Sequence, residues 1–174
     1  MACFYCDFAA QKEQCPTSIL GSLLKQVVGG LEVVPAKIIR AFRDQENVIG
    51  GRRLGLCEIV EMLQDISSSQ TTFICIDALD ESLDMHRQEL LYSLNQILHK
   101  SPSARVFLTG RPYIRDEVEK HLAGRVAVVS ITPTKDDIVR FLLAKLKEDL
   151  TPDAMDKSLE DDIIKNIPDT ASEM

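Results

Sequence analysis

The sequence has 174 residues and a net charge of −7, and hydrophobic residues make up 45% of it. A chain of this length buries about two-thirds of its unfolded surface, so we expect a globular protein of one domain, or of one domain and part of another. Residues 148–174 hold nine of the 27 acidic residues but two of the 20 basic ones, which leaves the rest of the chain neutral. Because no basic surface is predicted, nucleic acids and anionic membranes are excluded as expected partners.

The sequence also argues against export and membrane insertion. No apolar run reaches the roughly 18 residues needed to span a bilayer, and the first residues lack the pattern of a signal peptide. The five cysteines are an odd number in apolar segments, which favours reduced thiols and a cytoplasmic location. Cys3 and Cys6 form a C-x-x-C motif, but a zinc site would need a second pair. We therefore interpret both as small packing residues.

The first part of the chain predicts one strand followed by three helices. Residues 2–6 are an apolar and aromatic run typical of a strand. A domain that begins within a strand suggests that further sequence precedes it in the whole protein. Apolar residues recur at helical spacing in three later segments. These predicted helices lie at about residues 16–28, 35–47 and 56–67.

The middle of the chain alternates strands and helices. Residues 72–77 are apolar throughout, which predicts a strand covered on both faces, as in a parallel sheet. Further strands are predicted at residues 104–109 and 125–131. Helices are expected between the strands, at about residues 85–99 and 113–122.

The last part of the chain predicts two helices. Thr134 and Asp137 have the spacing of a capping box that opens a helix to about residue 150. Pro152 is expected to open an acidic helix that ends near Pro168. Together with the preceding alternation, this predicts an α/β fold: a mainly parallel sheet of about four strands flanked by helices, then a helical C-terminal segment.

Three carboxylates lie at the end of the strand predicted at residues 72–77 or just after it. In a parallel sheet, ligands bind beyond the carboxyl ends of the strands, so Asp77, Asp80 and Glu81 are expected at a ligand crevice. An acid directly after a strand can reach a metal ion, and a second acid one turn later can polarise an attacking water. The alternative is that Asp80 and Glu81 only cap the following helix, where negative charge is favourable.

An arginine follows the next strand in V-F-L-T-G-R-P. Arg111 is expected to face the same crevice, where a guanidinium can neutralise phosphate charge. The alternative is an ordinary turn with a solvated arginine. The two motifs are separated by a normal strand–helix–strand interval, and together they favour a nucleotide-type site.

The pair F-I-C-I-D-A-L-D-E and F-L-T-G-R-P resembles the Walker B and sensor 1 motifs of NACHT-type STAND NTPases. It is most similar to fungal NACHT and nephrocystin-like N-terminal domain proteins, which often carry ankyrin repeats. The resemblance implies that Asp77 holds magnesium, that Asp80 with Glu81 positions the hydrolytic water, and that Arg111 senses the terminal phosphate. It also implies that residues 1–132 are a partial NTPase core and residues 133–174 the start of a helical lid subdomain.

One motif of that family is missing. G-x-x-x-x-G-K-[ST], the loop that holds phosphates, does not occur in the sequence, where no glycine is followed by lysine. The resemblance implies that this loop and its strand precede residue 2, so that residues 126–131 have lost their neighbour in the sheet. Its members use ATP or GTP with magnesium, but we expect this chain alone to bind and hydrolyse neither.

Two other interpretations stay open. The chain could be a non-catalytic interaction module that pairs with itself or with related NACHT proteins through its open sheet. It could also be the product of an incomplete gene with no separate function.

Overall fold

The computed structural model describes residues 1–46, 54–122, 124–148 and 156–171. The chain divides into two compact units, Met1–Val126 and Ala127–Met174, which are described in turn. Across the described residues of the first unit, the strands and helices are β1 (Ala2–Tyr5), α1 (Pro16–Gly29), α2 (Ala36–Glu46), α3 (Leu56–Ser69), β2 (Thr72–Asp77), α4 (Asp84–Lys100), β3 (Ala104–Leu108) and α5 (Arg115–His121). Each of these helices begins and ends within two residues of its predicted limits.

The three strands form a parallel sheet in the order β1-β2-β3. Cys3 lies opposite Cys75 in the first pair, and Ile74 lies opposite Val106 in the second. The predicted α/β class with a parallel sheet is therefore confirmed. Because neighbouring strands run in the same direction, their carboxyl ends meet at one edge, where the polar motifs follow.

The core lies between the sheet and the helices α1, α3 and α4. Ile74 and Ile76 of β2 are fully buried there. Burying a side chain of this size stabilises the fold by about 1.5–3 kcal/mol. The helices contribute further fully buried residues, which include Leu20, Leu23, Leu63, Leu90 and Leu94.

The opposite face of the sheet is open. Tyr5, Phe73 and Phe107 are 71%, 41% and 58% exposed, and Phe73 stacks on Phe107 with ring centroids 6.5 Å apart. The prediction that β2 is covered on both faces is therefore wrong. Side chains alternate between the two faces of a strand, so Phe73 and Cys75 lie on the face opposite the buried isoleucines. On that face Phe73 packs against Phe107 of the neighbouring strand β3.

The strand predicted at residues 125–131 is also wrong. Residues 125–134 form neither a helix nor a strand, and Val129 and Ile131 are 79% and 90% exposed. A strand is stabilised by hydrogen bonds to a neighbouring strand, and this segment pairs with none of the described strands. An apolar composition alone does not supply that partner.

The second unit contains, in its described residues, the helices α6 (Lys135–Glu148) and α7 (Lys157–Ala171), which pack against each other. The predicted capping box is confirmed: the Asp137 N–H donates to Oγ1 of Thr134 at 3.2 Å, and the Thr134 N–H donates to Oδ2 of Asp137 at 3.1 Å. Pro152 lies outside the described residues. The predicted end near Pro168 is wrong, because α7 continues through this proline to Ala171.

Among the described residues, no helix is both long enough and apolar enough to span a bilayer.

Candidate functional site

Thr109 ties the end of β3 to the end of β2. Its N–H donates to the carbonyl oxygen of Ile76 at 3.0 Å, and its own carbonyl oxygen accepts from the Leu79 N–H at 2.9 Å. Its hydroxyl donates to Oδ1 of Asp77 and accepts from the Ala78 N–H at 2.9 Å. These four bonds hold the Asp77 carboxylate at the carboxyl edge of the sheet.

Ala78 makes the sharp turn that follows β2. It has φ 53° and ψ 46°, and it is the non-glycine residue with positive φ in the described part of the chain. The left-handed conformation costs an L-residue about 1–2 kcal/mol. The bond from the Ala78 N–H to Thr109 offsets part of this cost. The turn leads directly into the short 3₁₀ helix Leu79–Glu81, which carries Asp80.

Asp80 is bound from the side of β3. Its Oδ1 accepts from the Arg111 N–H at 3.2 Å, and its Oδ2 lies 3.4 Å from Nε of Arg111. Its carbonyl oxygen accepts from the Tyr113 hydroxyl at 3.2 Å. The Asp80 side chain is 7% exposed, whereas that of Arg111 is 76% exposed. The carboxylate is thus buried and neutralised, while the guanidinium stays accessible to solvent.

Gly110 makes this close approach possible. A Cβ atom at this position would lie 2.6 Å from Cδ1 of Ile114 and 3.3 Å from Oδ1 of Asp80. Ile114 is buried in the core, so its side chain has little room to move away. A larger residue at this position would therefore force the Ile114 side chain or Asp80 to shift.

Glu81 faces a different neighbour from Asp80. Its Oε2 accepts from the Phe8 N–H at 2.9 Å, in the segment that follows β1. Nearby, the Cys6 N–H donates to the carbonyl oxygen of Asp77 at 3.0 Å. The structure therefore brings Asp77, Asp80 and Arg111 together between the ends of β2 and β3, and it directs Glu81 toward the chain after β1.

The Cys6 thiol lies beside this acidic group. Burial raises its pKa, the hydrogen bond from the Ser82 hydroxyl partly lowers it, and the negative charge of Glu81 raises it further. The Ser82 Oγ atom is 3.3 Å from the Cys6 sulfur. A thiol with a raised pKa stays protonated near neutral pH, so Cys6 acts as a packing residue under the site.

A buried arginine supports the chain that follows the site. Arg87 of α4 donates to the carbonyl oxygen of Ser82 at 3.1 Å, to Asp84 at 2.8 Å and to Glu117 of α5 at 2.6 Å. Burial lowers the pKa of Arg87, but the hydrogen bonds to Glu117 and Asp84 raise it by more. Arg87 therefore stays charged and fastens the start of α4 to α5.

The site suits a metal ion only with help from a ligand. Among the described residues, no group of three or more His, Cys, Asp or Glu side chains could hold a metal. Thr109 bonds Oδ1 of Asp77, and no described residue bonds its Oδ2. Magnesium is commonly held by one or two carboxylates together with substrate phosphates and water. Asp77 fits as one such carboxylate.

The sequence model of the family described as "Nephrocystin 3, N-terminal" matches residues 1–111. The chain belongs to the nephrocystin 3 N-terminal family. The predicted resemblance to nephrocystin-like N-terminal domains is therefore confirmed. The matched residues contain β1, β2 and β3 and end at Arg111, so all four predicted site residues lie within the family region. The chain matched none of the curated proteins and none of the solved structures with which it was compared.

The sequence did not predict four residues that build this site: Thr109, Gly110, Tyr113 and Arg87. The polar Thr109 directly after an apolar strand was the available signal for the first. Arg87 gave none, because one arginine on an amphipathic helix is most often a solvated residue.

Proposed function

We propose that this chain is the acidic half of the nucleotide site of a NACHT-type signalling NTPase, and that it does not hydrolyse nucleotide by itself. One observation carries the proposal: Asp77, Asp80 and Arg111 lie together at the carboxyl edge of a parallel sheet. In parallel α/β folds this edge is where ligands bind.

Asp77 is proposed as the metal-binding residue. Thr109 fixes its orientation through Oδ1, and Oδ2 is bonded by no described residue. A bound magnesium nucleotide would supply the divalent charge and the phosphate to be cleaved. The contribution of this chain is one carboxylate that is already held in place, which lowers the entropy lost on binding.

Arg111 is proposed as the residue that senses the terminal phosphate. Its guanidinium is 76% exposed and its Nε lies 3.4 Å from Asp80, so this ion pair contributes less than about 1 kcal/mol. A phosphate can form bidentate, charge-assisted bonds with arginine, and it would compete well for the same group. We propose that Arg111 exchanges Asp80 for phosphate.

That exchange gives Asp80 a role in the reaction. Once Arg111 has moved, the Asp80 carboxylate would be able to accept a hydrogen bond from water and position it as a general base. Glu81 lies beside it, but its bond from the Phe8 N–H holds it against the chain after β1. We therefore assign the water to Asp80, with Glu81 adding negative charge and support.

The phosphate-holding half of such a site is not found in this sequence. G-x-x-x-x-G-K-[ST] supplies backbone N–H groups and a lysine, and these provide most of the binding energy for the phosphates. We therefore expect the chain alone to bind ATP or GTP too weakly to detect. In the same proposal, it works in the cytoplasm and oligomerises with itself or related NACHT proteins.

A chimera tests the proposed site directly. The phosphate-binding loop and strand of an intact relative are joined ahead of Ala2, and binding of magnesium with ATP or GTP is measured by calorimetry. We expect no binding by the chain alone and measurable binding by the chimera. Asp77→Asn and Arg111→Gln should each weaken the chimera's binding by about tenfold or more, which corresponds to about 1.4 kcal/mol. Asp116→Asn, at an exposed position of α5, is the matched control.

Two results would contradict the proposal. One is ATP hydrolysis by the chain alone that disappears in Asp80→Asn. The other is a folded chimera that binds nucleotide equally well with and without the Asp77→Asn change.

A second candidate function is that of a non-catalytic interaction module that pairs with a related NTPase. The exposed, stacked rings of Phe73 and Phe107 favour it, because contiguous apolar surface marks sites of protein association. Size-exclusion chromatography with light scattering, alone and with an intact relative, would test it. Phe107→Ser should abolish the complex, and Tyr92→Ser, 59% exposed on α4, should not. A chain that stays monomeric and ignores the relative would exclude this function.

A further inference from the structure

Two cysteines lie directly opposite each other in the sheet. Cys3 of β1 is the register partner of Cys75 of β2. Neighbouring strands are about 4.7–4.9 Å apart, which lies inside the Cα separation of about 4.4–6.8 Å found in disulfides. Register partners point to the same face of a sheet, so the backbone already places the two thiols side by side.

Both thiols are partly exposed on the open face of the sheet. They are also close enough to influence each other: burial raises the pKa of Cys75, and the charge and hydrogen bonding of the Cys3 side chain raise it further. Cys6, by contrast, is buried and bonded to Ser82. The pair that the fold brings together is therefore Cys3 and Cys75, and not the C-x-x-C pair of the sequence.

Gln26 of α1 holds this register in place. The Cys3 N–H donates to Oε1 of Gln26 at 3.0 Å, and Nε2 of Gln26 donates to the Cys3 carbonyl oxygen at 2.8 Å. On its other side, β1 is paired along its length with β2. The backbone of Cys3 is thus fixed from both sides, which keeps its thiol opposite Cys75.

We propose that Cys3 and Cys75 form a reversible disulfide and are a redox modification site of this chain. The oxidant is a low-molecular-weight disulfide such as glutathione disulfide. The Cys3 thiolate attacks one glutathione sulfur and expels a glutathione thiolate. The Cys75 thiolate then attacks the Cys3 sulfur of the mixed disulfide and expels the second. One glutathione disulfide is consumed, two glutathione thiols are released, and one protein disulfide forms.

The order of attack follows from the positions of the two strands. Cys3 lies on β1 at a border of the three-stranded sheet, whereas Cys75 lies on the central strand β2, so the first step is assigned to Cys3. Strained or exposed disulfides are the reducible ones, and this disulfide would join two strands on an exposed face. Reduced glutathione should therefore reverse it.

The test uses the purified full chain in glutathione buffers of increasing oxidised fraction. Free thiols are alkylated, and intact mass and peptide mapping report what has formed. The reduced chain has five free cysteines. We expect oxidation to remove two of them. The mass before alkylation should fall by two hydrogens, two fewer thiols should be alkylated, and a Cys3–Cys75 peptide should appear. Reduced glutathione should restore all five.

Cysteine-to-serine variants identify which two cysteines form the disulfide. Cys75→Ser should trap a glutathione adduct on Cys3, because the second step has lost its thiol. Cys57→Ser, at an exposed position of α3, should form the disulfide as the wild type does. The proposal is wrong if Cys3 and Cys75 of the wild type both stay alkylatable across the range of buffers. It is equally wrong if the linked peptide joins either of them to another cysteine. Neither outcome bears on nucleotide binding.

Discussion

The Thr109 hydroxyl donates a hydrogen bond to the Asp77 carboxylate while it accepts one from the Ala78 N–H. A single side chain therefore orients the acid and supports the left-handed residue after it. Asp77 and Thr109 end up together because β2 and β3 are parallel neighbours whose carboxyl ends share an edge.

Replacing that hydroxyl should weaken the fold and the site together. Thr109→Val keeps the shape of the side chain but removes both hydrogen bonds, so we expect a loss of about 1–2 kcal/mol in the free energy of unfolding. Urea denaturation followed by circular dichroism measures it. Thr109→Ser keeps the hydroxyl and should lose less than half as much. Equal losses in the two variants would show that the hydroxyl does not matter.

Gly110 and Ile114 should be energetically coupled. Gly110→Ala places a Cβ atom against Cδ1 of Ile114, and we expect it to cost about 1–2 kcal/mol through overpacking. Ile114→Val removes that Cδ1 atom and should cost about 0.5–1.5 kcal/mol alone.

The double variant Gly110→Ala with Ile114→Val should be more stable than the sum of the single changes predicts, by about 1 kcal/mol. Denaturant unfolding of all four proteins gives this coupling. Strict additivity would mean that the clash is relieved elsewhere, for instance by movement of Asp80.

The buried pair between Arg87 and Glu117 should stabilise the first unit. Glu117→Ala leaves the 7% exposed Arg87 with Asp84 as its remaining carboxylate, so we expect a loss of about 2–3 kcal/mol. Glu119→Ala is the control, because its pair with Arg115 is solvent-exposed and is worth less than about 0.5 kcal/mol. Thermal unfolding should separate the two variants clearly, and similar melting temperatures would contradict the assignment.

The start of α6 should depend on pH. Hydrogen bonds from the Thr134 hydroxyl and then from its N–H lower the pKa of Asp137. A carboxylate with a lowered pKa in the folded state stabilises at every pH above its unfolded pKa of about 3.9, and this support is lost as the pH falls through the folded pKa. The capping box should therefore hold at neutral pH and weaken in acid.

Nuclear magnetic resonance titration of the Asp137 carboxylate measures that shift. Thr134→Ala should move the Asp137 titration upward toward its ordinary range, whereas Thr134→Ser should leave it near the wild-type position. The explanation fails if removal of the hydroxyl leaves the titration midpoint unchanged.

The sequence predicted the helices and three strands well because each is governed by local periodicity. Pro16 and Gly29 mark the limits of α1, and apolar residues at helical spacing fill its buried face. The placement of Asp77, Asp80 and Arg111 near one another also followed, because it needs only parallel strands in adjacent positions.

The remaining features depend on partners that composition does not reveal. Phe73 and Ile74 are both apolar, yet one is 41% exposed and the other is buried, since a strand gives alternate residues to opposite faces. Residues 125–131 have a strand-like composition but pair with no described strand. The meeting of Cys3 with Cys75 depends on strand register, which spacing along the chain does not give.

The two bonds between Gln26 and the backbone of Cys3 make the borders of the sheet unequal. The Gln26 amide occupies the place that the peptide group of another strand would take. A strand that added beside β1 would have to displace this amide, at a cost of about 1 kcal/mol per hydrogen bond. We therefore expect an additional strand to pair with β3 and not with β1. A polypeptide bound beside β3 would lie next to the strand that leads to Thr109 and Arg111, so it would also lie close to the proposed nucleotide site.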